Sequence, residues 1–197
     1  MVHDLVRISI GTCWGIVVLV WIAGAVYNAS RGPHGRRRHV STAGAGFVGV
    51  ALTWAAFRAV PSGDWRSLTV GSLWVRFLGL AVLVAATAFT LWARVALGTM
   101  WSSTPTVKVD HELRTDGPYG ITRHPIYTGL FGMLLGTVLL VGFGRWIAIL
   151  AAGLIFVEAR IRTEEALMLS TFPETYPGYR RRVPQLVPGL RRLRRSS

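Results

Sequence analysis

Long apolar stretches separated by short polar segments run along this chain. A transmembrane helix needs about 20 mainly apolar residues. Three stretches reach that length, and they run from Ile8 to Tyr27, from Val40 to Val60 and from Leu73 to Leu97. The third has Arg76 and Arg94 near its ends, where long basic side chains can reach the lipid headgroups. We therefore predict three membrane spans within residues 1–97.

Two shorter apolar stretches follow in the C-terminal half. They run from Pro125 to Val141 and from Arg145 to about Val157, and Gly142-Phe143-Gly144 between them has the composition of a tight turn. We interpret the pair as a helical hairpin. The pattern predicts an all-α membrane protein with about five transmembrane helices, folded as a single domain over residues 1–197. Residues 1–97 would hold the three N-terminal spans, and residues 98–197 the two short spans with the polar segments around them.

The first apolar stretch has a second interpretation, as a secretory signal peptide. Its apolar core is long for that purpose, and the flank before the core holds Asp4 with only Arg7 as a basic residue. These features favour a true membrane span.

Composition agrees with a membrane protein. Hydrophobic residues make up 51% of the 197 residues and charged residues only 16%, whereas a soluble domain carries about 25% charged residues. The formal charge of +13 is also typical of nucleic-acid binders, but the apolar content argues against one. The single cysteine, Cys13, cannot form an intramolecular disulfide, and the chain has no cluster of cysteines and histidines with zinc-ligand spacing.

The distribution of basic residues predicts the orientation in the membrane. Sixteen lie in the loops after the first and third spans and in the region from Arg160 onward, against three on the other side. Basic residues favour the cytoplasmic side, so the N-terminus is expected outside and the C-terminus in the cytoplasm. The lysine-poor, arginine-rich composition suggests a bacterial inner or plasma membrane. The polar segments 98–124 and 158–197 would then meet on the cytoplasmic face.

The polar segment before the fourth span has the features of an anion site. Pro125 suits the first turn of a helix, where its missing N–H costs nothing. Arg123 and His124 then lie at the helix N-terminus, where free backbone N–H groups and the positive end of the dipole favour a carboxylate or phosphate. Tyr127 lies one turn further on, and Gly129 leaves room for a flat group or another helix. Alternatively, Arg123, His124 and Tyr127 are ordinary interfacial anchors.

A second charged segment, EARIRTEE over residues 158–165, ends the fifth span. Helical spacing places Glu158, Arg162 and Glu165 on one face and pairs Arg160 with Glu164. An exposed salt-bridge ladder explains this pattern without any function. The functional interpretation is that the hairpin brings these charges beside the start of the fourth helix. A carboxylate there would hold a ribose, an ammonium or a sulfonium, and an arginine would hold a substrate carboxylate.

The segment FPETYPGYRRRVPQLVP, residues 172–188, contains four prolines that forbid a continuous helix. Its aromatic residues make it amphipathic. We predict a lid that lies on the membrane interface over the hairpin, with a tail that merely follows the membrane surface as the alternative.

Two of these segments resemble a known family. GPYGITRHPIYTG is similar to the GPY-x3-RHP-x-Y-x-G signature of the isoprenylcysteine carboxyl methyltransferase and phospholipid methyltransferase families. The pair Glu164-Glu165, followed by Phe172, Tyr176, Tyr179, Val183-Pro184 and Pro188, resembles their second block, and Leu97 to Ser103 resembles their LGRNWS element. The chain departs from the pattern at Thr99-Met100, Pro173 and Pro177. The resemblance covers about residues 90–190.

The resemblance implies an integral membrane methyltransferase that uses S-adenosylmethionine and a lipophilic substrate from the bilayer. It implies a cytoplasmic cofactor pocket formed by the last helical hairpin and closed by the C-terminal segment, so that residues 98–197 would be the catalytic region. Gly117 and Pro118 would shape the loop beside it. The cofactor contacts would be Tyr119, Arg123, His124, Tyr127, Gly129, Glu164 and Glu165. Candidate catalytic residues are His124, Arg162 and Glu165, and candidate substrate contacts are Trp101, Glu158, Arg160, Tyr176 and Tyr179. No metal is expected.

The nucleophile stays open at this point. A carboxylate is already ionised and needs only orientation by Arg160 or Arg162, whereas an amine needs a base such as Glu165, Glu158 or His124. A thiol is the third possibility. Two other protein classes compete with a methyltransferase: a nicotinamide-dependent membrane reductase of the sterol-reductase type, and a non-catalytic membrane scaffold.

Overall fold

The computed structural model describes residues 2–31, 58, 71–98, 113–144 and 146–189. Every regular element in these ranges is a helix. The helices are α1 (Val2–Arg31), α2 (Leu73–Leu97), α3 (Pro118–Ile121), α4 (Pro125–Val141), α5 (Trp146–Thr171) and α6 (Tyr176–Arg182). The predicted second span, Val40 to Val60, lies outside the described residues apart from Arg58.

Two described helices are long and apolar enough to cross a membrane, by length and composition: His3–Tyr27 and Leu73–Leu97. Helix α2 has the predicted bounds of the third span, and α4 has those of the fourth, although its 17 residues make it a shorter apolar helix. The fifth apolar stretch was predicted to end at about Val157, and the helix that contains it, α5, continues to Thr171. The charged segment 158–165 therefore lies in the middle of a 26-residue helix.

Helices α2 and α4 form the centre of the bundle, and small residues let their backbones touch. A Cβ atom added to Gly136 would lie 2.6 Å from the backbone nitrogen of Leu83 and 2.9 Å from the carbonyl oxygen of Gly79. Small residues at such an interface are typical of helix packing in membranes, where close van der Waals contact replaces the hydrophobic effect. The pair is therefore held by backbone proximity that no larger side chain would permit.

Helix α1 packs across α2 and α4. Its Val17 joins Leu83 of α2 and Met133 and Leu140 of α4 in the buried apolar core. The indole Nε1 of Trp14 donates a hydrogen bond of 3.1 Å to the hydroxyl oxygen of Thr137.

The turn between α4 and α5 is the one that the sequence predicts. Gly142, Phe143 and Gly144 all have positive φ angles, of 93°, 70° and 54°. The N–H groups of Gly142 and Phe143 donate to the carbonyl of Val138, which closes the end of α4. Because the turn is tight, α5 runs back along α4, and its second half reaches the level at which α4 begins.

Candidate functional site

The start of α4 is covered by the C-terminal segment. The N–H groups of Arg123 and His124 donate to the carbonyl oxygens of Pro184 and Gln185, at 2.8 and 3.2 Å. The hydroxyl of Thr128 donates to the carbonyl of Leu186 at 2.7 Å. The N–H groups of Arg123 and His124 are therefore not available to an anion at this helix N-terminus, because a segment of the same chain accepts their hydrogen bonds.

Arg123 is the main link between the C-terminal segment and the hairpin. Its Nε and Nη2 both donate to Oε1 of Glu165, at 2.9 and 2.6 Å. Its Nη1 donates to the carbonyls of Arg180 and Val183, at 3.1 and 2.7 Å. Less than a tenth of either side chain in the Arg123–Glu165 pair is exposed. Since all three guanidinium nitrogens have protein partners, Arg123 stabilises the structure of the site.

Glu165 is surrounded by cations. In addition to Arg123, Nε of Arg180 lies 3.2 Å from its Oε2, and Nε2 of His124 lies 3.4 Å from its Oε1. Burial by itself would raise the pKa of Glu165, but the polar contact with His124 and the hydrogen bonds and charge of Arg123 outweigh burial and lower the pKa to about 2. Glu165 is therefore ionised at neutral pH and is a poor proton acceptor.

His124 lies between two carboxylates. Its Nδ1 is 3.7 Å from Oε2 of Glu164, opposite the Glu165 contact. Burial lowers the pKa of His124, yet interactions with Glu164 and Glu165 together raise it above its ordinary value. Nε2 is buried and, for all its proximity to Glu165, makes no hydrogen bond within the described part of the chain. The two carboxylates thus favour the protonated imidazole, and its Nε2 is a buried polar atom without a hydrogen-bond partner among the described residues.

A second polar group adjoins this pair. The hydroxyl of Tyr127 donates to Oε1 of Glu164 at 2.5 Å, and the ring of Tyr127 stacks beside that of His124 with centroids 6.0 Å apart. Arg160 donates from Nε to the Tyr127 hydroxyl at 3.3 Å and from Nη2 to Glu164 at 3.4 Å. Glu164 is 25% exposed against 9% for Glu165. Of the two neighbouring carboxylates, Glu164 is the one that a ligand can reach.

Three further tyrosines close the site from α3 and α6. The hydroxyl of Tyr179 donates to the carbonyl of Tyr119 at 2.7 Å, and the rings of Tyr176 and Tyr179 lie 5.9 Å apart. Burial is the main cause that raises the pKa of all three phenols, so they stay protonated. The predicted lid is thus fastened onto the hairpin as an integral part of the fold.

Some predicted site residues lie elsewhere. Arg162 is 77% exposed and pairs with Glu158 at 3.0 Å, outside the Arg123–Glu165 contact. Glu158 also accepts a hydrogen bond of 2.8 Å from the side chain of Gln185. Gly129 does not border a ligand space but faces the hydroxyl of Thr90 on α2, so it serves helix packing. Trp101 lies outside the described residues.

Sequence reasoning missed two contributors from the C-terminal segment, Arg180 and Gln185. Arg180 belongs to a run of three arginines in which nothing in the sequence distinguishes the one that turns inward. Arg94 was expected to extend toward the headgroups, but it is only 5% exposed and lies in the interior. That expectation was wrong because the neighbouring α1 covers this end of α2.

The fold is similar to that of a solved membrane enzyme. The chain matches a structure described as the eukaryotic intramembrane Ras methyltransferase ICMT (isoprenylcysteine carboxyl methyltransferase) with a TM-score of 0.55 and 25% sequence identity. The match covers 75% of this chain and 52% of that one. The class of protein is therefore a helical membrane protein of the ICMT-like fold.

The sequence comparisons agree with this fold. Residues 78–170 match the family model of isoprenylcysteine carboxyl methyltransferases. The protein-S-isoprenylcysteine O-methyltransferase of Schizosaccharomyces pombe is 43% identical over 82 residues, which are 40% of this chain and 34% of that protein. The predicted family resemblance is confirmed for this segment: residues 78–170 are similar to the isoprenylcysteine carboxyl methyltransferase family.

A relative with another name matches a longer stretch. The nickel-cobalt-cadmium resistance protein NccN of Alcaligenes xylosoxydans xylosoxydans is 32% identical over 121 residues, 61% of this chain and 53% of that protein. The chain thus spans between about a third and about half of the length of these three proteins. The segment that matches the family model, residues 78–170, contains α4 and nearly all of α5. It therefore includes Arg123, His124, Tyr127, Glu164 and Glu165.

Proposed function

We propose that this protein transfers the methyl group of S-adenosylmethionine to a lipophilic, membrane-borne substrate. The observation that carries the proposal is the group formed by His124, Tyr127, Arg160 and Glu164, which lies within the family-matched segment beside the start of α4. The other candidate enzyme, a nicotinamide-dependent reductase, is not favoured, since the relatives compared above are methyltransferases by name apart from one metal-resistance protein.

The polar residues of the site fit such a cofactor. S-adenosylmethionine supplies an activated methyl group on a sulfonium, together with an ammonium, a carboxylate and a ribose. Glu164, the more exposed carboxylate, suits the cationic or hydroxyl groups. The buried Nε2 of His124 is a donor in need of an acceptor, and the tyrosine rings provide faces for a cation. Tyr119, Tyr127, His124 and Glu164 are thus the proposed cofactor contacts, while Arg123 and Glu165 keep them in place.

The protonation states favour a substrate that arrives already ionised. Glu165 has its low pKa among three cations, and Glu164 accepts hydrogen bonds from Tyr127 and Arg160. His124 already holds its proton between two carboxylates. None of these groups is suited to take a proton from an amine, whose pKa is near 10, or a thiol near 8.5, whereas a carboxylic acid ionises near 4. We therefore propose O-methylation of a carboxylate.

The arginines of α5 would orient that carboxylate. Arg160 is mostly buried beside Tyr127 and Glu164, and Arg162 is exposed on the same helix two residues later. A bidentate guanidinium contact both binds and orients a carboxylate. Arg162 remains a candidate catalytic residue: its exposed guanidinium would bind the carboxylate of an incoming substrate first. Before binding, Arg162 is paired with Glu158.

Access from the membrane suits this arrangement. The outer faces of α1 and α2 expose large apolar side chains, among them Leu19, Ile22, Phe77 and Val84. A lipophilic substrate would diffuse within the bilayer and present its head group to the site, which we place on the cytoplasmic side with the N-terminus outside. Closure by α6 and the segment after it excludes water, which protects the activated methyl group from hydrolysis.

The test is methyl transfer by the purified protein in detergent or nanodiscs. Radiolabelled S-adenosylmethionine is supplied with matched lipids that differ only in carrying a carboxylic acid, a thiol or an amine. We expect base-labile methyl esters with the acid and no product with the amine. Isothermal titration with S-adenosylhomocysteine and with reduced nicotinamide cofactors runs in parallel. Binding of neither would favour a scaffold, and binding of the nicotinamide alone would favour a reductase.

A further inference from the structure

The C-terminal segment that follows α6 is fixed against the start of α4 through its backbone. Each carbonyl oxygen of residues 183–186 accepts a hydrogen bond of 2.7 to 3.2 Å from a residue at or just before the first turn of α4. The donors are Arg123, with its N–H and its Nη1, the N–H of His124 and the hydroxyl of Thr128. The backbone from which the Gln185 side chain extends is therefore held in one place.

The side chain of Gln185 reaches from this segment to α5. Its Nε2 donates to Oε2 of Glu158 at 2.8 Å, and the other carboxylate oxygen, Oε1, accepts from Nε of Arg162 at 3.0 Å. A carboxylate only accepts hydrogen bonds and an amide nitrogen only donates them, so the contact itself requires this orientation of the amide. Gln185, Glu158 and Arg162 are thus joined by two successive hydrogen bonds that end at a guanidinium.

The guanidinium of Arg162 has donors to offer a ligand. Among the described residues only its Nε has a partner, and 77% of the side chain is exposed. The neighbouring Arg160 already donates to Tyr127 and Glu164. An arginine binds a carboxylate through two parallel N–H donors, and Nη1 and Nη2 of Arg162 provide such a pair.

An exposed arginine binds a carboxylate better when its side chain is already ordered. The Glu158–Arg162 pair has i,i+4 spacing on a helix surface, and such a pair has little effect alone because both long side chains can rotate. Gln185 restrains the Glu158 carboxylate from a backbone that α4 holds. Ordering a side chain before the ligand arrives lowers the entropic cost of binding.

We infer that Gln185 is a positioning residue, which presents the guanidinium of Arg162 to the carboxylate of the lipophilic substrate. This role rests on the proposed function, which supplies that carboxylate. It also makes Gln185 a determinant of specificity, because a methyl ester lacks the charge that a guanidinium binds. Since the carbonyl of the same residue accepts the N–H of His124, Gln185 contacts both the proposed cofactor side and the proposed substrate side of the site.

The experiment measures binding and does not require turnover. The probes are N-acetyl-S-farnesylcysteine, its methyl ester and S-adenosylhomocysteine, each titrated by calorimetry into the full-length protein in detergent. We expect Gln185→Ala to weaken binding of the acid by roughly 3-fold to 10-fold, the effect of one net hydrogen bond. The ester and S-adenosylhomocysteine should bind as before. The matched control is Val187→Ala, an exposed position two residues further along the same segment, which should leave all three affinities unchanged.

Two combined variants test the connection through Glu158. In an Arg162→Gln background, adding Gln185→Ala should cause no further loss of acid binding, because residues that act through one another are not additive. Gln185→Glu alone places a second carboxylate opposite Glu158 and should weaken acid binding. The double variant Glu158→Gln/Gln185→Glu restores an amide–carboxylate pair and leaves an oxygen for Nε of Arg162, so most of the affinity should return.

Unchanged acid binding in Gln185→Ala would overturn the inference. So would an equal loss for all three probes, which indicates a purely structural role, an undiminished effect of Gln185→Ala in the Arg162→Gln background, or no recovery in a folded double variant. If Gln185→Ala does not fold, Gln185→Asn decides, because it keeps the amide on a side chain one methylene shorter. A wild-type protein that prefers the acid to its ester through Gln185 and Arg162 but transfers no methyl group would overturn only the proposed function.

Discussion

Arg123 donates two hydrogen bonds to one oxygen of Glu165, and it joins three separate parts of the chain by doing so. The carboxylate belongs to α5, the arginine to the start of α4, and the third guanidinium nitrogen holds the carbonyls of Arg180 and Val183. Because both side chains are buried, the pair is shielded from water and salt. The hairpin and the C-terminal segment are therefore one structural unit.

Removing either member of this pair should unfold the site. Arg123→Ala leaves Glu165 buried with fewer positive charges around it, and breaking a buried ion pair costs about 3–5 kcal/mol. We expect a clear drop in the melting temperature in detergent and faster proteolysis within residues 172–189. The control is Arg162→Ala, since that exposed pair with Glu158 should contribute less than about 1 kcal/mol. Equal stability of the two variants would contradict the structural role of Arg123.

The two adjacent glutamates should respond differently to the same substitution. Glu164→Gln removes the more exposed carboxylate, so we expect about 10-fold or greater loss of affinity for S-adenosylhomocysteine with a nearly unchanged melting temperature. Glu165→Gln removes the centre of the ion cluster, and its main effect should be on stability. Titration calorimetry and thermal unfolding on both variants check this. Loss of affinity in Glu165→Gln alone would reverse the assignment.

The sequence predicts the helices well because their limits are local. Pro125 and the glycines after Val141 define the two ends of α4 through backbone chemistry alone, and the apolar run from Leu73 to Leu97 coincides with α2. For the fifth helix, hydropathy ends at Val157, whereas helical structure continues through the charged segment 158–165 to Thr171. Apolar length predicts a span and does not predict where its helix stops.

The site was harder to predict because its roles depend on partners far apart in sequence. The motif places Arg123 and Glu165 together, but only the fold shows that each is already occupied by the other. From the sequence, Gly129 is equally compatible with contact to a ligand and with close packing against another helix. Its contact with Thr90 shows that it packs against α2. Arg94 lies beyond the motif, and its burial depends on α1, which the sequence cannot position.

Stability should depend on pH through the charges around Glu165. The pKa of this group is lowered from 4.5 to about 2, so its stabilising effect is complete above pH 4.5 and is lost as pH falls toward 2. The pKa of His124 is raised, so its contribution is complete below its ordinary pKa of 6.5 and is lost as pH rises through the higher folded value. We expect the stability of the folded protein to be highest between pH 4.5 and 6.5. The measurement is the melting temperature as a function of pH. In Glu165→Gln the acid decline below pH 4.5 should be smaller; an identical acid decline would contradict the assignment.

Close packing of α2 on α4 should make Gly136 intolerant of a single methyl group. The added Cβ would meet backbone atoms of Leu83 and Gly79, which cannot move aside, and overpacking of this kind costs about 1–3 kcal/mol or more. Gly153→Ala on α5 is the matched control, because its Cβ would meet only the end of the Leu134 side chain, at 3.0 Å. Thermal unfolding should separate the two variants, and comparable stability would contradict the backbone contact.

The proposed approach of the substrate through the bilayer predicts a dependence on chain length. Each buried CH₂ group contributes about 0.8 kcal/mol to partition from water into the membrane, so lengthening an acid by three such groups should raise its kcat/KM by roughly 50-fold until the membrane is saturated. The comparison uses a series of acids with the same head group and increasing prenyl or acyl length, assayed in nanodiscs at constant lipid. Exposed apolar side chains on α1 and α2 are consistent with a membrane surface there. If a short, water-soluble acid is methylated with the same kcat/KM as its long-chain counterpart, the substrate reaches Arg160 and Tyr127 from the aqueous side, and the lateral route is wrong.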